Sequence, residues 1–299
     1  MPNNGITWTN ANGCNSSSVQ QYVAAALFHL SNKLEFELAT KTIGIVGVGN
    51  VGTKVAHLCS VLGMKVLLND PPRERHEGRG SFVSLDTILK QADILTFHVP
   101  LSREGEDRTF HLIDGHLLAA MRPHQILINT SRGEIADSQT LRTSLEKKSL
   151  AACVLDVWEK EPNIDLELLN HVDLGTPHIA GYSADGKANG TSMSIRALSR
   201  FFHLGMDDWF PENVPMPAET TLALDCAVLK RQKIFCKLIC RTYDILGDDQ
   251  RLRSSPSTFE HQRAAYPLRR EFPAYSAKLL HAENDMVAAA QRLGFSVVL

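Results

Sequence analysis

"KTIGIVGVGNVG", residues 41–52, runs from a β-branched apolar segment straight into three glycines. Gly47, Gly49 and Gly52 stand at GxGxxG spacing. "VAHLCSVLG" (55–63) continues behind them as an apolar-periodic helix, with Gly63 as its stop. Strand, glycine loop and helix in that order give the pattern its meaning as a dinucleotide site. The first glycine permits a tight turn, the second lets backbone approach a pyrophosphate, and the third lets helix and strand pack closely. The helix N-terminus, with Asn50 and Val51 in its first turn, offers free N–H groups to the phosphates. "KVLLND" (65–70) reads as the next strand and ends in Asp70. A carboxylate there accepts hydrogen bonds from the adenosine ribose hydroxyls and repels a 2′-phosphate, so the cofactor expected is NAD. Arg73 and Arg75 read as solvated charge, and they keep NADP open as the lesser alternative.

The alternation continues outward. "SLDTILKQA" (84–92) is helical with Ser84 as N-cap, and "DILTFHV" (93–99) is a strand closed by Pro100. "QILINTS" (125–131), "AACVLDV" (151–157) and "VDLGTPHI" (172–179) are further strands, with a helix over "DSQTLRTSLEKKSL" (137–150). Short apolar strands alternating with amphipathic helices predict an α/β fold, a Rossmann-type doubly wound parallel sheet. Upstream, Ile6 to Thr9 is strand-like, and Val19 to Leu38 reads as a helix capped by Ser16 to Ser18. Downstream, residues 184–204 read as one long helix, and Pro211, Pro215 and Pro217 mark a boundary. Beyond it we expect a helix over residues 222–246, an Arg-rich polar stretch and a closing strand in "RLGFSVVL" (292–299).

With 299 residues, 43% of them hydrophobic, the chain is long enough for about two domains. A formal net charge of −2 gives no electrostatic case for nucleic acid or an anionic membrane. No apolar run reaches the roughly 20 residues that span a bilayer, and "MPNNGITWTNANG" (1–13) lacks the features of a secretory signal. None of the six cysteines forms a CxxC pair or has zinc spacing, so no metal is expected. Cys236 and Cys240 read as neighbouring core positions on one helix face, and the simplest setting is the reducing cytoplasm.

Three stretches at or after strand ends carry reactive side chains: "NTSRGEIAD" (129–137), "LDVWEKEP" (155–162) and "TPHIAG" (176–181). Ligands of open α/β sheets bind beyond the carboxyl ends of the strands, so Arg132, Glu161 and His178 can converge there. Oxidation of a 2-hydroxy acid needs this trio. A histidine takes the hydroxyl proton, a carboxylate holds its ring, and an arginine fork binds the substrate carboxylate. Taken singly, each has a plainer reading: a surface arginine, a solvated glutamate beside Glu159, a packed histidine.

Together GVGNVG, "INTSRG", "LDVWEKEP" and "TPHIAG" resemble the D-isomer-specific 2-hydroxyacid dehydrogenase family. "GCN" (13–15), "NDPPR" (69–73), "ADILTFHVPL" (92–101), "VDLGTPHIAGYSADGKANGT" (172–191) and the tail after residue 205 are similar to one branch of it. That branch oxidises 4-phospho-D-erythronate with NAD in the cytoplasmic synthesis of pyridoxal 5′-phosphate. The resemblance implies His178 as acid/base, Glu161 as its partner and Arg132 as carboxylate anchor. Tyr182 would reach the substrate. Asp70 would hold the adenosine ribose, and Val99, Thr130, Ser131, Asp156 and Gly181 would meet the cofactor. Val99 stands where the family usually has threonine.

The resemblance also implies a domain plan. Residues 1–18 are a remnant of a flavodoxin-like substrate lobe, and 19–183 are the NAD-binding domain with its entry helix. Residues 184–204 are a return helix, and 205–299 are an α+β domain through which the chain forms a homodimer. Most of the family's N-terminal lobe has no counterpart here. The expectation is therefore that Val23, Leu27 and Leu30 lie exposed and that the chain binds NAD but turns over poorly. Two other functions stay open: oxidation of a different 2-hydroxy acid such as phosphoglycerate, and NAD binding without catalysis.

Overall fold

The computed structural model describes residues 5–298. Six strands form one parallel sheet: β1 Thr42–Val46, β2 Lys65–Asn69, β3 Ile94–Phe97, β4 Ile126–Asn129, β5 Ala152–Leu155 and β6 Leu174–Gly175. Their order is β2-β1-β3-β4-β5-β6, with Ile43 opposite Val66 on one side and Ile94 on the other. The chain leaves β1 outward to β2, then returns to build β3 on the other side of β1. The switch point therefore lies between the carboxyl ends of β1 and β3.

Every residue of β3, β4 and β5 is buried, as expected of strands covered on both faces. Side-chain alternation sorts them into two cores. Ile43, Ile45, Ile94 and Ile128 face α1 (Ser16–Lys33) and α2 (Asn50–Val61). Val46, Leu95, Phe97 and Leu127 face the opposite layer. That second side carries α4 (Leu85–Gln91), α5 (Gly115–Ala120), α6 (Ser138–Glu146) and α7 (Leu166–His171), while α3 (Pro71–Glu77) follows β2 at its carboxyl end. Ser84 caps α4 through the Thr87 N–H, and Gly63 takes φ +84° just past α2.

After α8 (Ala184–Phe202) no regular element intervenes before β7 (Thr221–Asp225). Then come α9 (Arg231–Thr242), α10 (Ile245–Ser254), α11 (Phe259–Ala264), β8 (Ser276–Leu280), α12 (Asn284–Leu293) and β9 (Ser296–Val298). This part is a three-stranded parallel sheet, β7-β8-β9, with helices between the strands, so it alternates as α/β and not as the expected α+β.

Several local expectations are corrected. Helix α1 begins at Ser16 and ends at Lys33, so the serines lie inside its first turn and do not cap it. Residues 222–246 are not one helix: Thr221–Asp225 is strand β7, and helix resumes only at Arg231. Ile6 to Thr9 is not a strand. Cys236 is buried but Cys240 is exposed. Val23, Leu27 and Leu30 are fully buried rather than exposed. The reason is that α9 folds back onto α1, placing Ile234, Phe235, Leu238 and Ile239 in the same core. A helix apolar on all sides, as "VAAALFHL" is, needs such cover. Among the large apolar residues that are exposed, Leu198, Phe201 and Phe202 fall together on the last turns of α8.

Candidate active site

The glycine loop shows three separate steric requirements. Gly47 has φ +88°, and a Cβ there would stand 2.6 Å from the His98 carbonyl oxygen. At Gly52 a Cβ would stand 2.0 Å from the Gly47 oxygen, closer than any real contact, so only glycine lets α2 sit on β1. Gly49 is the N-cap of α2, and its missing side chain faces open space. Bare backbone at a helix N-terminus beside a carboxyl-end crevice is the cradle a pyrophosphate requires. Asn50 lies against the turn at Gly13, and Val51 reaches the reactive cavity described below.

At the end of β2, Asp70 accepts from the Val48 N–H at 2.8 Å and caps α3 through the Arg73 N–H at 3.0 Å. The two arginines are not merely solvated. Arg73 donates to the Val48 carbonyl at 2.6 Å while paired with Glu77, and Arg75 pairs with Asp107 and Glu106. A cavity of about 450 Å³ is lined by Gly47, Asp70, Pro71, Arg75, Val99, Pro100, Glu106 and Asp107, among others. Its lining carries the carboxylates of Asp70, Glu74, Glu106 and Asp107 against the guanidinium groups of Arg75 and Arg108, a balance that disfavours a 2′-phosphate.

A second cavity, about 310 Å³, shares Val99 and Pro100 with the first. Thr130, Ser131 and Arg132 enter it from the end of β4, Asp156 from the end of β5, and His178, Gly181 and Tyr182 from the segment between β6 and α8. Residues far apart in sequence thus meet beyond the carboxyl ends of β3, β4 and β5, beside the switch point. Glu161 stands behind the histidine: its Oε2 is 2.7 Å from His178 Nδ1, and its Oε1 accepts from the Trp158 N–H at 2.8 Å. Arg132 donates from Nη1 to the Ser131 carbonyl at 2.7 Å, and among the described residues no carboxylate is paired with it.

Burial pulls the His178 imidazole pKa down, but the Glu161 hydrogen bond and the charges of Asp156 and Glu161 outweigh it. The ring sits above its ordinary range. His178 holds φ +56°, a left-handed conformation uncommon outside glycine. Asp156 fixes it there. Its carboxylate accepts from the N–H groups of Ile179 and Ala180, each at 2.8 Å, and from Thr176 Oγ1 at 2.7 Å. Its own backbone carbonyl accepts from the His178 N–H at 2.7 Å. Burial raises the Asp156 carboxyl pKa in spite of these donors.

Sequence reasoning missed Asn15, Val19, His98 and Pro100, which also line the reactive cavity. His98 follows β3 as Arg132 follows β4, so the strand-end signal was available for it. It lies between Thr96 Oγ1 and Thr130 Oγ1, at 3.0 and 3.1 Å, and burial pushes it down to about 3, so it stays neutral. Asn15 explains Gly181, because a Cβ there would stand 2.2 Å from the Asn15 amide nitrogen. The room beside Gly181 is filled by that amide.

Residues 15–180 match the family model described as D-isomer specific 2-hydroxyacid dehydrogenase, NAD binding domain. Residues 214–294 match a domain of unknown function, DUF3410. An erythronate-4-phosphate dehydrogenase of Bacteroides fragilis is 48% identical over 271 residues, 91% of this chain and 75% of the relative. One from Photorhabdus laumondii is 41% identical over 298 residues, 99% of this chain and 78% of the relative. Among solved structures, D-lactate dehydrogenase with NAD+ from Lactobacillus jensenii superposes with a TM-score of 0.52 at 25% identity, covering 70% of this chain and 71% of that one.

Proposed function

From the premise that the chain belongs to the D-isomer-specific 2-hydroxyacid dehydrogenase family, we propose that it oxidises 4-phospho-D-erythronate at C2, giving 3-hydroxy-2-oxo-4-phosphobutanoate. The observation that carries the chemistry is the His178–Glu161 pair facing a cavity with Arg132, next to a dinucleotide cradle. The relatives' names supply the choice of substrate. Within this reading the reaction belongs to pyridoxal 5′-phosphate synthesis in the cytoplasm.

NAD, when bound, supplies the acceptor for the hydride leaving C2. The remaining work falls to the chain. Arg132 binds the substrate carboxylate through its free guanidinium edge and draws density from the C2 oxygen. His178 Nε2 takes the hydroxyl proton, since Nδ1 is held by Glu161. Glu161 orients the ring and stabilises the imidazolium that results. Asp70 holds the adenosine ribose, Gly47 to Gly52 carry the pyrophosphate, and Val99, Thr130, Ser131, Asp156 and Gly181 surround the nicotinamide end. Tyr182 contacts the substrate.

The pH dependence follows from this assignment. Oxidation needs neutral His178, so its rate rises as pH climbs through the His178 pKa, and the reverse reduction falls over the same range. Glu161 raises that pKa. Glu161→Gln should therefore move the acid limb of oxidation to lower pH and cut the plateau kcat by roughly 10- to 100-fold through a less firmly held ring. Initial rates of NADH formation from pH 5 to 10 read both effects. An unmoved acid limb would remove His178 from the proton transfer.

In the same proposal residues 1–18 belong to the substrate lobe, 19–183 form the cofactor domain, and 184–204 link it back to that lobe. Residues 205–299 make a homodimer. Exposed Val228, Leu246 and Leu280 on this last part support the pairing. Light scattering is expected to give twice the chain mass, and a monomer at micromolar concentration would dismiss the dimer.

A further inference from the structure

Arg269, Arg270 and Glu271 are three consecutive charged residues, yet they are only 5%, 8% and 6% exposed. They lie between α11 and β8, in the C-terminal part of the chain, where a run of charge ordinarily marks a solvated loop. Two of the three have evident partners. Arg270 grips Asp185 with two hydrogen bonds of 2.9 Å, and Glu271 accepts from Ser18 Oγ at 2.7 Å and Ser183 Oγ at 3.1 Å.

Arg269, unlike Arg270, meets no carboxylate among the described residues. Its hydrogen bonds run to neutral oxygens, and its guanidinium lies 4.1 Å from the centre of the Tyr243 ring. Nε donates to Gln21 Oε1 at 2.9 Å. Nη2 donates to the carbonyls of Ala180 at 2.7 Å and Ser18 at 2.5 Å, and Nη1 to that of Ile179 at 3.3 Å. Ile179 and Ala180 are the two residues that follow His178. Their N–H groups go to the Asp156 carboxylate and their carbonyls to the Arg269 guanidinium. The Ile179–Ala180 peptide unit, its N–H on Asp156 and its carbonyl on Arg269, thus lies between buried groups of opposite charge, while the unit before it is held by Asp156 and the unit after it by Arg269. They hold His178 in its left-handed conformation, which an untethered non-glycine residue leaves readily.

We infer that Arg269 is a positioning residue for His178: the C-terminal part of the chain completes the active site by clamping the backbone that aims the histidine. Arg269 lines neither of the two cavities. It acts through the peptide units next to the acid/base. The inference rests on the role given to His178 above, and a structural readout keeps the two separable.

The test compares Arg269→Ala and Arg269→Lys with the unaltered full chain. Three quantities are read: kcat for NADH formation, NADH affinity by fluorescence, and amide hydrogen exchange at Ile179 and Ala180 with the β3 and β4 amides as reference. In Arg269→Ala, kcat should fall about tenfold or more while NADH affinity stays within about twofold. The Ile179 and Ala180 amides should exchange faster while the sheet keeps its protection. Millimolar guanidinium should restore part of the lost kcat by refilling the site. Arg269→Lys, which keeps charge but lacks the fork, should fall between the two, and it decides the matter if the alanine variant does not fold. Unchanged kcat with unchanged local exchange would overturn the inference. So would a joint fall of kcat, NADH affinity and sheet protection without guanidinium rescue, since that describes general loss of structure. If the unaltered chain oxidises no 2-hydroxy acid, the functional reading fails, while exchange at Ile179 and Ala180 still decides whether Arg269 clamps the segment.

Discussion

His178→Ala is expected to lower kcat for NADH formation by roughly 10²- to 10⁴-fold, or about 3–5 kcal/mol of barrier, while NADH still binds. The expectation follows from what the side chain does and does not hold. His178 Nδ1 is engaged by Glu161 at 2.7 Å, and the rest of the ring faces the cavity. The polar contacts that fix the surrounding loop are made by its backbone and by Asp156, so alanine leaves that scaffold in place. The glycine cradle and Asp70 are untouched, so fluorescence titration should give a similar NADH affinity. A loss of affinity in proportion to rate would show that the histidine serves the cofactor cavity instead. His178→Ala should also erase the acid limb of the pH profile, because no other residue is assigned the proton transfer. His98 cannot take over, because burial lowers its pKa to about 3 and leaves it too weak a base, with both ring nitrogens facing threonine hydroxyls.

The second large effect is expected at Arg132. Arg132→Gln should reduce kcat/KM by roughly 10²- to 10⁴-fold, since it removes two charge-assisted hydrogen bonds to the substrate carboxylate worth about 1.5–3 kcal/mol each. Saturation kinetics with substrate varied at fixed NAD read this change. Most of it should appear in KM if the carboxylate is bound equally in ground and transition states, and in kcat as far as Arg132 polarises the C2 oxygen. Arg132→Lys should recover only a small part, because an ammonium cannot reproduce the planar fork. The guanidinium is available to bind a carboxylate because its hydrogen bond to the Ser131 carbonyl uses a single nitrogen. Unchanged KM and kcat in Arg132→Gln would place the substrate carboxylate elsewhere.

The nucleotide-binding half of the molecule is legible in the sequence because its signals repeat and agree. Each strand from β1 to β5 is a short apolar run, and the glycine spacing stands where strand turns to helix. Asp70, Arg132 and His178 share one positional logic, that of following a strand's carboxyl end, and the overlooked His98 obeys it too. The misreadings have physical causes. "TLALD" (221–225) merges with the helix behind it because five residues of edge strand carry too little periodicity to separate from a neighbouring apolar helix. The cover over α1 depends on α9, about 200 positions away, and local pattern contains nothing about that partner. Arg269 to Glu271 looks like a solvated polar stretch because residue type records charge but not the carbonyls and hydroxyls that satisfy it inside the fold. Nothing in the sequence around Gly181 records that the Asn15 side chain occupies the space a Cβ would need there.

The most direct measurement is NADH formation by the purified, unaltered chain with NAD, comparing 4-phospho-D-erythronate with 3-phosphoglycerate and D-lactate at equal concentration. NADH production is expected to be greatest with 4-phospho-D-erythronate and to be lost in His178→Ala. Tight NADH binding with no oxidation of any of the three would contradict the assignment of His178, Glu161 and Arg132 to hydroxy-acid oxidation. It would leave a protein that binds the dinucleotide without catalysis.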